Sequence, residues 1–122
     1  MIVDPIAEAG AFVSLLPFDG ITVPWYHRAV IKSFRDKDAE RIFNRFFSRH
    51  LPPDIQRTAL RRLLYLHAAK DLRDLSTPPS VRLEPLSGDR KAQYSLRIND
   101  RWRICFEWIG QDAYNVEIVD YH

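Results

Sequence analysis

The sequence predicts an α+β domain in which an antiparallel helical hairpin packs on one face of an antiparallel sheet. Three observations support this. Apolar residues repeat with a helical period from about 37 to 69, and a Leu-Pro-Pro break at 51–53 divides that stretch. From Val81 onward, apolar and polar residues alternate as in strands. With a short strand placed before the helices, the predicted order is β-α-α-β-β-β.

The first elements are a strand at 30–34 and a helix from about Lys37 to Arg49. Asp36 is a suitable N-cap, because its carboxylate can accept a bond from an unpaired N–H group of the first turn. The predicted buried stripe has the spacing i, i+3, i+4, i+7, i+8 and consists of Ala39, Ile42, Phe43, Phe46 and Phe47.

A second helix is predicted from about Pro53 to Ala69, with an alternative end at Leu75. Proline suits the first helical turn, and the residue before a proline avoids helical geometry. The short connection predicts that the two helices pack antiparallel. His67 is interpreted as a core or boundary histidine on the buried side, which comprises Ile55, Ala59, Leu60, Leu63, Leu64 and His67.

Three strands that follow are joined by turns at 99–100 and 110–112, as in a meander of hairpins, and a polar turn at 87–91 comes before them, after an alternating stretch that begins at Val81. The residues predicted to face the core are Tyr94, Leu96, Ile98, Trp102, Ile104, Phe106 and Trp108. On the last strand, Tyr114, Val116, Ile118 and Asp120 alternate with Asn115, Glu117, Val119 and Tyr121. Cys105, the single cysteine, is interpreted as a small buried hydrophobe.

Residues 1–29 are predicted to be an N-terminal extension of a domain at 30–122. The extension has no helical or strand period and carries three acidic residues and one basic residue. Three interpretations stay open: a loosely packed arm, an acidic element that covers a basic face, or a translation begun too early, since Val30 is what an in-frame GUG start would read as.

The charge distribution points to a polyanionic partner. The net charge is only +2, but residues 57–103 carry eleven basic and five acidic residues, a net of +6. Fourteen of the eighteen basic residues are arginine, which favours bidentate contact with phosphate. A lone cysteine and no apolar run of ~20 residues indicate a cytoplasmic protein without a membrane segment.

Several chemistries lack their motifs. The chain has four glycines, none at the spacing of a phosphate-binding loop, and no Gly-x-Ser-x-Gly elbow. Its four histidines lie on different predicted elements, without a metal-ligand spacing. The simplest expectation is a mechanism without metal or cofactor.

What remains is the C-terminal tripeptide Asp120-Tyr121-His122 beside arginine-rich strands. His122 is a candidate general acid or base, Tyr121 a hydrogen-bond donor or base-stacking group, and Asp120 a partner that orients His122 or a bound base. Arg103 is a candidate to stabilise charge on a phosphate. The other interpretation is a solvated face with an idle terminal histidine. The candidate RNA-binding residues are Arg82, Arg90, Lys91, Arg97 and Arg101.

Residues 30–122 resemble the HigB toxins of the RelE superfamily. The segments that carry the resemblance are V-I-K-S-F at 30–34, R-L-E-P-L-S-G-D-R-K at 82–91, S-L-R-I-N-D-R-W-R-I-C-F at 95–106 and V-E-I-V-D-Y-H at 116–122. The resemblance implies a RelE-like fold and a metal-independent ribonuclease that cleaves mRNA in the ribosomal A site, where the 2′-hydroxyl attacks its own phosphodiester. It also implies a HigA-like helix-turn-helix antitoxin, through which alone operator DNA is contacted.

The resemblance places Asp120, Tyr121 and His122 at the family's catalytic end, and Arg103 at an arginine that faces the scissile phosphate. Two departures stand out. Ser87 replaces a lysine that many relatives have, and Glu84 replaces a histidine found in some. The loss of a cation at Ser87 keeps a second hypothesis open, a weak or inactive RNA- or antitoxin-binding module that acts as a corepressor.

Overall fold

The computed structural model describes residues 30–76, 79–90 and 92–121, so the predicted extension at 1–29 lies outside the described residues. Two helices pack on one face of a four-stranded antiparallel sheet with strand order β1-β2-β3-β4. The elements are α1 (Lys37–Phe43), α2 (Pro53–Ala68), β1 (Glu84–Pro85), β2 (Gln93–Arg97), β3 (Trp102–Ile109) and β4 (Asp112–Asp120). The predicted α+β class is confirmed, but four strands follow the helices where the predicted order has three, because the alternating stretch before the turn at 87–91 also pairs, as β1. Within these three stretches, no helix is long and apolar enough to cross a membrane.

The segment before α1 runs parallel to β4 and extends the sheet at that edge. Ile31 forms a bridge with Ala113, and Phe34 forms one with Val116. The Lys32 N–H donates to the Ala113 carbonyl at 2.8 Å, which is one of the backbone bonds along this edge. The strand predicted at 30–34 is therefore present as two isolated bridges rather than as a continuous ladder.

Asp36 caps α1 and also ties it to the sheet. One carboxylate oxygen accepts from the Ala39 N–H at 2.6 Å, as an N-cap does, and the other accepts from the Ile118 N–H of β4 at 3.2 Å. Burial raises the pKa of Asp36 above its ordinary value, and the two N–H bonds oppose that rise. The predicted cap is confirmed, and its second bond fixes where the helix begins relative to β4.

Helix α1 ends six residues earlier than the sequence predicts. Arg45 has a φ of 66°, in the left-handed region that favours glycine. Its N–H bonds to the Ile42 carbonyl at 2.9 Å, and the Phe46 N–H bonds to the Arg41 carbonyl at 2.8 Å. These two bonds are those of a Schellman motif, which closes a helix. The prediction of a helix to Arg49 is therefore wrong.

The early end exposes two aromatic side chains that the helical period predicts to be buried. Phe46 is 59% exposed and Phe47 is 58% exposed. Arg41 holds this loop, because its guanidinium donates to the Phe47 carbonyl at 2.9 Å and lies 5.5 Å from the centre of the Phe46 ring. The stripe is confirmed at Ala39 and Ile42 and is wrong at Phe46 and Phe47.

Helix α2 starts at Pro53 and ends at Ala68, one residue from the predicted end, and a 3₁₀ turn at Leu72–Ser76 follows it. His67 is a satisfied boundary residue, as predicted. Its Nδ1 accepts the Ile31 N–H at 3.2 Å, and its ring lies edge-on to Phe43. The buried residues of α2 are Ile55, Ala59, Leu63, Leu64 and Leu66.

The core joins both helices to the inner face of the sheet. It includes Ile42, Ile55, Leu63, Leu66, Leu96, Ile104, Phe106 and Val116, and Trp102 and Trp108 pack against it. The alternation predicted for the last strand, with Tyr114 on the same side as Val116 and Ile118, is wrong at Tyr114. An irregularity in the β3–β4 pairing, where Asn115 has a φ of 52°, places Tyr114 opposite Glu107. A bulge adds one residue to its strand and reverses the alternation there.

Candidate active site

The face of the sheet away from the helices carries a row of polar side chains. Arg97 pairs with Arg103 across β2 and β3, and Cys105 lies between Ser95 on β2 and Glu117 on β4. Side chains paired across strands point to the same side, and neighbours along a strand point to opposite sides. These five residues therefore share the face opposite the core residues of β3.

Arg103 is the centre of this face. Its side chain is buried, with 9% of the residue exposed. One terminal nitrogen, Nη2, donates to the Arg82 carbonyl at 2.9 Å, and the other, Nη1, lies 3.4 Å from the Glu84 carboxylate. The guanidinium carbon lies 5.7 Å from the centre of the Tyr121 ring, within cation–π range. Contacts from β1, from the segment before it and from the chain end thus orient one cation.

Among the residues that the structure describes, two donors on this face are buried without a hydrogen-bond partner. They are the Arg103 Nε and the Ser95 hydroxyl. An unpaired buried donor costs free energy of about 1–3 kcal/mol, so native proteins keep few of them. Both donors suit an anion, because Arg103 adds a full positive charge to the N–H and O–H dipoles.

Arg90 forms a second cation site on this face. Its guanidinium donates to Glu117 at 2.9 Å and to the Gln93 side-chain oxygen at 3.0 Å. Glu117 also lies 3.9 Å from the Arg35 guanidinium, so one carboxylate stands between two arginines. The hydrogen bond to Glu117 raises the pKa of Arg90, which keeps that side chain charged.

Cys105 lies beneath these groups and is fully buried, as predicted. Burial raises the pKa of its thiol to about 11, and the nearby Arg90 and Arg103 only partly oppose this. A thiol must ionise to act as a nucleophile, so Cys105 is chemically inert at neutral pH.

The chain end is tied to the start of β3. The Tyr121 N–H donates to the Arg101 carbonyl at 2.7 Å. The Arg101 guanidinium donates twice to the Asp120 carboxylate, at 2.8 Å for each bond. The bonds to Asp120 raise the pKa of Arg101. Backbone and side chain together hold Tyr121 in place beside Arg103.

A family model described as "RelE-like toxin of type II toxin-antitoxin system HigB" matches residues 32–122. The chain belongs to this HigB-like toxin family. Type II toxins are paired with antitoxins, so membership gives the chain an antitoxin partner. The match includes both helices, all four strands and every residue of the face described above.

Two curated relatives are similar over most of their length. The "Endoribonuclease HigB" of Proteus vulgaris is 31% identical over 93 residues, which cover 76% of this chain and all of that protein. The "Toxin HigB-1" of Vibrio cholerae serotype O1 is 36% identical over 84 residues, which cover 67% of this chain and 87% of that protein.

In this HigB-like domain, the residues predicted to bind substrate do not all meet at Arg103. Arg82 is exposed and has a φ of 46°. Its backbone carbonyl accepts the hydrogen bond from Arg103. Ser87 is exposed in the turn before the 3₁₀ segment Gly88–Arg90. Arg97 is paired with Asp100. His122 and Lys91 lie outside the described residues.

Three residues of this face had no predicted role in binding or catalysis. They are Glu84, which differs from the histidine of some relatives, Ser95 and Glu117. Alternation places each of them on a polar face, but it does not give cross-strand register. Ser95 and Cys105 become neighbours only through the β2–β3 pairing, and Glu84 reaches Arg103 only because β1 pairs with β2.

Proposed function

We propose that the chain is a metal-independent endoribonuclease of the HigB type, which cleaves mRNA on the ribosome and so inhibits translation. The observation that supports this most directly is the buried Arg103, oriented on three sides and with its Nε unpaired. A preorganised cation stabilises the extra negative charge that a phosphate gains as a nucleophile adds.

The contact between Arg103 and Glu84 supports access for a phosphate. At 3.4 Å it is longer than a charge-assisted hydrogen bond, which is normally about 2.7–2.9 Å. A phosphate that displaced the carboxylate would gain bidentate contact with the guanidinium. The Ser95 hydroxyl would supply a further donor from the floor of the site.

The C-terminal residues supply the acid–base groups in this proposal. His122 follows Tyr121 directly, and imidazole exchanges protons near neutral pH. Tyr121, whose ring lies over Arg103, would stack on a base or donate its hydroxyl to the phosphate. Asp120 would act by anchoring the chain end through Arg101.

The remaining cations give the face its affinity for RNA. Arg82, Arg97 and Arg101 lie on or beside the strands around Arg103, Arg90 lies in the 3₁₀ segment before β2, and Lys91 follows Arg90 in the sequence. Attraction of such a surface to the phosphate backbone is not specific for sequence. We therefore assign the choice of cleavage position to the ribosome, which presents mRNA in its A site, and the control of activity to a HigA-like antitoxin.

Growth tests this proposal most simply. Expression of the chain in bacteria without an antitoxin is expected to arrest growth, and His122→Ala and Arg103→Ala are expected to relieve the arrest. Arg73→Ala is the matched control, because Arg73 is an exposed arginine of the turn after α2. Normal growth with well-expressed, folded wild-type protein would contradict the proposal.

Purified components test the reaction itself. Wild-type protein is expected to cleave a message bound to ribosomes and to leave the same message intact when ribosomes are absent. Loss of the positioned cation is expected to lower the rate by about 10²- to 10³-fold in Arg103→Ala.

A second candidate function is a weak or inactive binding module. It is favoured because this face lacks a cation at Ser87 and because its two best-placed arginines already contact carboxylates. Ser87 is exposed and supplies no charge, and the two best-placed arginines, Arg90 and Arg103, each contact a carboxylate. Under this alternative Ser87→Lys would create growth arrest that the native chain lacks. Equal arrest by both chains would dismiss the alternative.

A further inference from the structure

We propose that the loop between α1 and α2 is a second RNA-binding surface, which stacks on an unpaired base of ribosomal RNA. This surface, the aromatic loop, consists of Arg41, Arg45, Phe46, Phe47 and Arg49. In its choice of partner the assignment rests on the proposed ribonuclease function. The loop joins the two helices, which lie on the face of the sheet opposite the candidate active site. It therefore contacts RNA other than the message that is cleaved.

Two neighbouring phenyl rings of the aromatic loop stand in solvent. Phe46 is 59% exposed and Phe47 is 58% exposed. Among the residues that the structure describes, the other exposed large apolar side chains are Ile109, at the end of β3, and Tyr121, after β4. Two rings suffice to stack on bases, but they fall far short of the about 800 Å² that each partner of a stable protein interface buries. The exposed area thus fits a base better than a protein.

Both helices hold the backbone of the aromatic loop in place. The buried Ser48 hydroxyl donates to the carboxylate of Asp38 on α1 at 2.6 Å. On α2, the Gln56 side chain accepts the Ser48 N–H at 3.1 Å and donates to the Ser48 and Leu51 carbonyls at 2.8 and 3.0 Å. A surface that is ordered before binding loses little conformational entropy when it binds. The exposed position of the two rings is therefore built into the fold.

Arg41 sets the arrangement of the rings. Its guanidinium donates to the Phe47 carbonyl, at 3.2 Å from Nε and 2.9 Å from Nη2, and lies 5.5 Å from the centre of the Phe46 ring. Arg45, just before the rings, has a φ of 66°. A residue other than glycine is strained in that region, and such strain is concentrated at functional sites. Aromatic rings and guanidinium planes are both surfaces on which nucleic-acid bases stack.

The charge of this segment matches RNA. Residues 41–53 include three arginines and no acidic residue. Arg41, Arg45 and Arg49 are all exposed, and Arg45 Nη1 donates to the Phe43 carbonyl at 2.9 Å. A single strand of RNA carries a phosphate on each side of every base, so it complements a pair of rings flanked by guanidiniums. On the ribosome, where the proposed reaction takes place, unpaired bases of ribosomal RNA supply this chemistry.

Binding to vacant ribosomes, without any message, tests the surface directly. The double variant with Phe46→Ala and Phe47→Ala is expected to bind about tenfold more weakly than wild type, because it loses the stacking. A second double variant, with Phe46→Leu and Phe47→Leu, keeps apolar area without an aromatic face and is expected to bind nearly as weakly. Ile109→Ala is the matched control, since Ile109 is also 59% exposed, and is expected to bind like wild type.

Chemical probing and salt dependence identify what the loop contacts. Wild-type protein is expected to protect an unpaired base of ribosomal RNA that neither double variant protects. Arg49→Ala is expected to reduce the slope of log affinity against log salt concentration by about one, as the loss of one phosphate contact does. Arg73→Ala, in the turn after α2, should leave that slope unchanged.

Cleavage of a ribosome-bound message separates this surface from the candidate active site. The double alanine variant is expected to need about a tenfold higher protein concentration for half of its maximal single-turnover rate, with that maximal rate unchanged. Arg103→Ala is expected to show the reverse, a lower maximal rate at saturation.

The remaining outcomes also decide the matter. Wild-type affinity for ribosomes in the double alanine variant would overturn the inference. In that case, binding to phosphatidylglycerol vesicles that only the wild type shows would assign the loop to a membrane surface, and a dimer that only the wild type forms would assign it to contact between copies. Wild-type protein that binds ribosomes through the loop but leaves every message intact would support this inference and overturn the ribonuclease proposal.

Discussion

Arg101 and Asp120 form two parallel hydrogen bonds of 2.8 Å that tie the start of β3 to the end of β4. Isolated ion pairs at a surface contribute little, but bidentate geometry is the case in which they fix a position. The next residue, Tyr121, lies over Arg103. The pair therefore acts on the candidate active site through the placement of the chain end.

Replacement of Arg101 by lysine is expected to loosen this end without unfolding the domain. Lysine keeps the charge but cannot form both bonds at once. Hydrogen exchange should accelerate at the Tyr121 amide, which donates to the Arg101 carbonyl, and RNA cleavage should slow. The exchanged pair Arg101→Asp with Asp120→Arg should restore protection. Unchanged exchange in Arg101→Lys would show that the backbone bond alone holds the end.

Asp36→Ala is expected to destabilise the domain by about 1–2 kcal/mol. The variant loses the cap bond at Ala39 and also leaves the Ile118 N–H without its acceptor. Chemical denaturation measures the difference. Asp36→Asn is the informative comparison, because the single amide oxygen can keep the cap bond at Ala39 while the NH₂ group cannot accept the Ile118 N–H, so asparagine should recover only part of the loss.

Asp38 is expected to make stability fall in acid. Its carboxylate accepts the buried Ser48 hydroxyl at 2.6 Å and contacts His50 at 3.2 Å, and these partners lower the pKa of Asp38 below its ordinary value of 3.8. A lowered pKa stabilises the fold above about pH 4, and that stabilisation is lost as the pH falls further and the carboxylate becomes protonated.

The difference in unfolding free energy between wild type and Asp38→Asn should therefore be largest near neutral pH and shrink below pH 4. Denaturation curves across that range measure it. Asp89→Asn, at an exposed turn position, provides the baseline. A difference that stays constant with pH would assign the effect to packing.

Ala92→Gly is expected to stabilise the protein by about 1 kcal/mol. Ala92 is exposed and has a φ of 80°, where a Cβ atom is strained and glycine is not. Glycine also loosens the unfolded chain, which offsets part of the gain. Ala92→Val should have the opposite effect because a branched side chain worsens the strain. Thermal unfolding of the three proteins gives the order.

The sequence predicts which kinds of residue form the candidate active site, but it predicts only some of the contacts between them. Asp120, Tyr121 and Arg103 stand out in the sequence, and the structure brings Tyr121 and Arg103 together. Glu84 and Ser95 had no predicted role. Their importance depends on pairing between strands, and a one-residue change of register would turn each to the other face.

The same division holds for the fold. Periodicity, the Asp36 cap and the prolines before α2 are local signals, so the sequence alone determined the α+β class and the start of each helix. The end of α1 at Phe43, the bulge at Asn115 and the partners of Arg103 were decided by tertiary structure. Arg45 adopts a left-handed conformation without being glycine, and the bulge adds one residue to β4. Arg103 and Glu84 form an ion pair although they are far apart in sequence. All three features depend on contacts between distant parts of the chain, which local sequence patterns do not show.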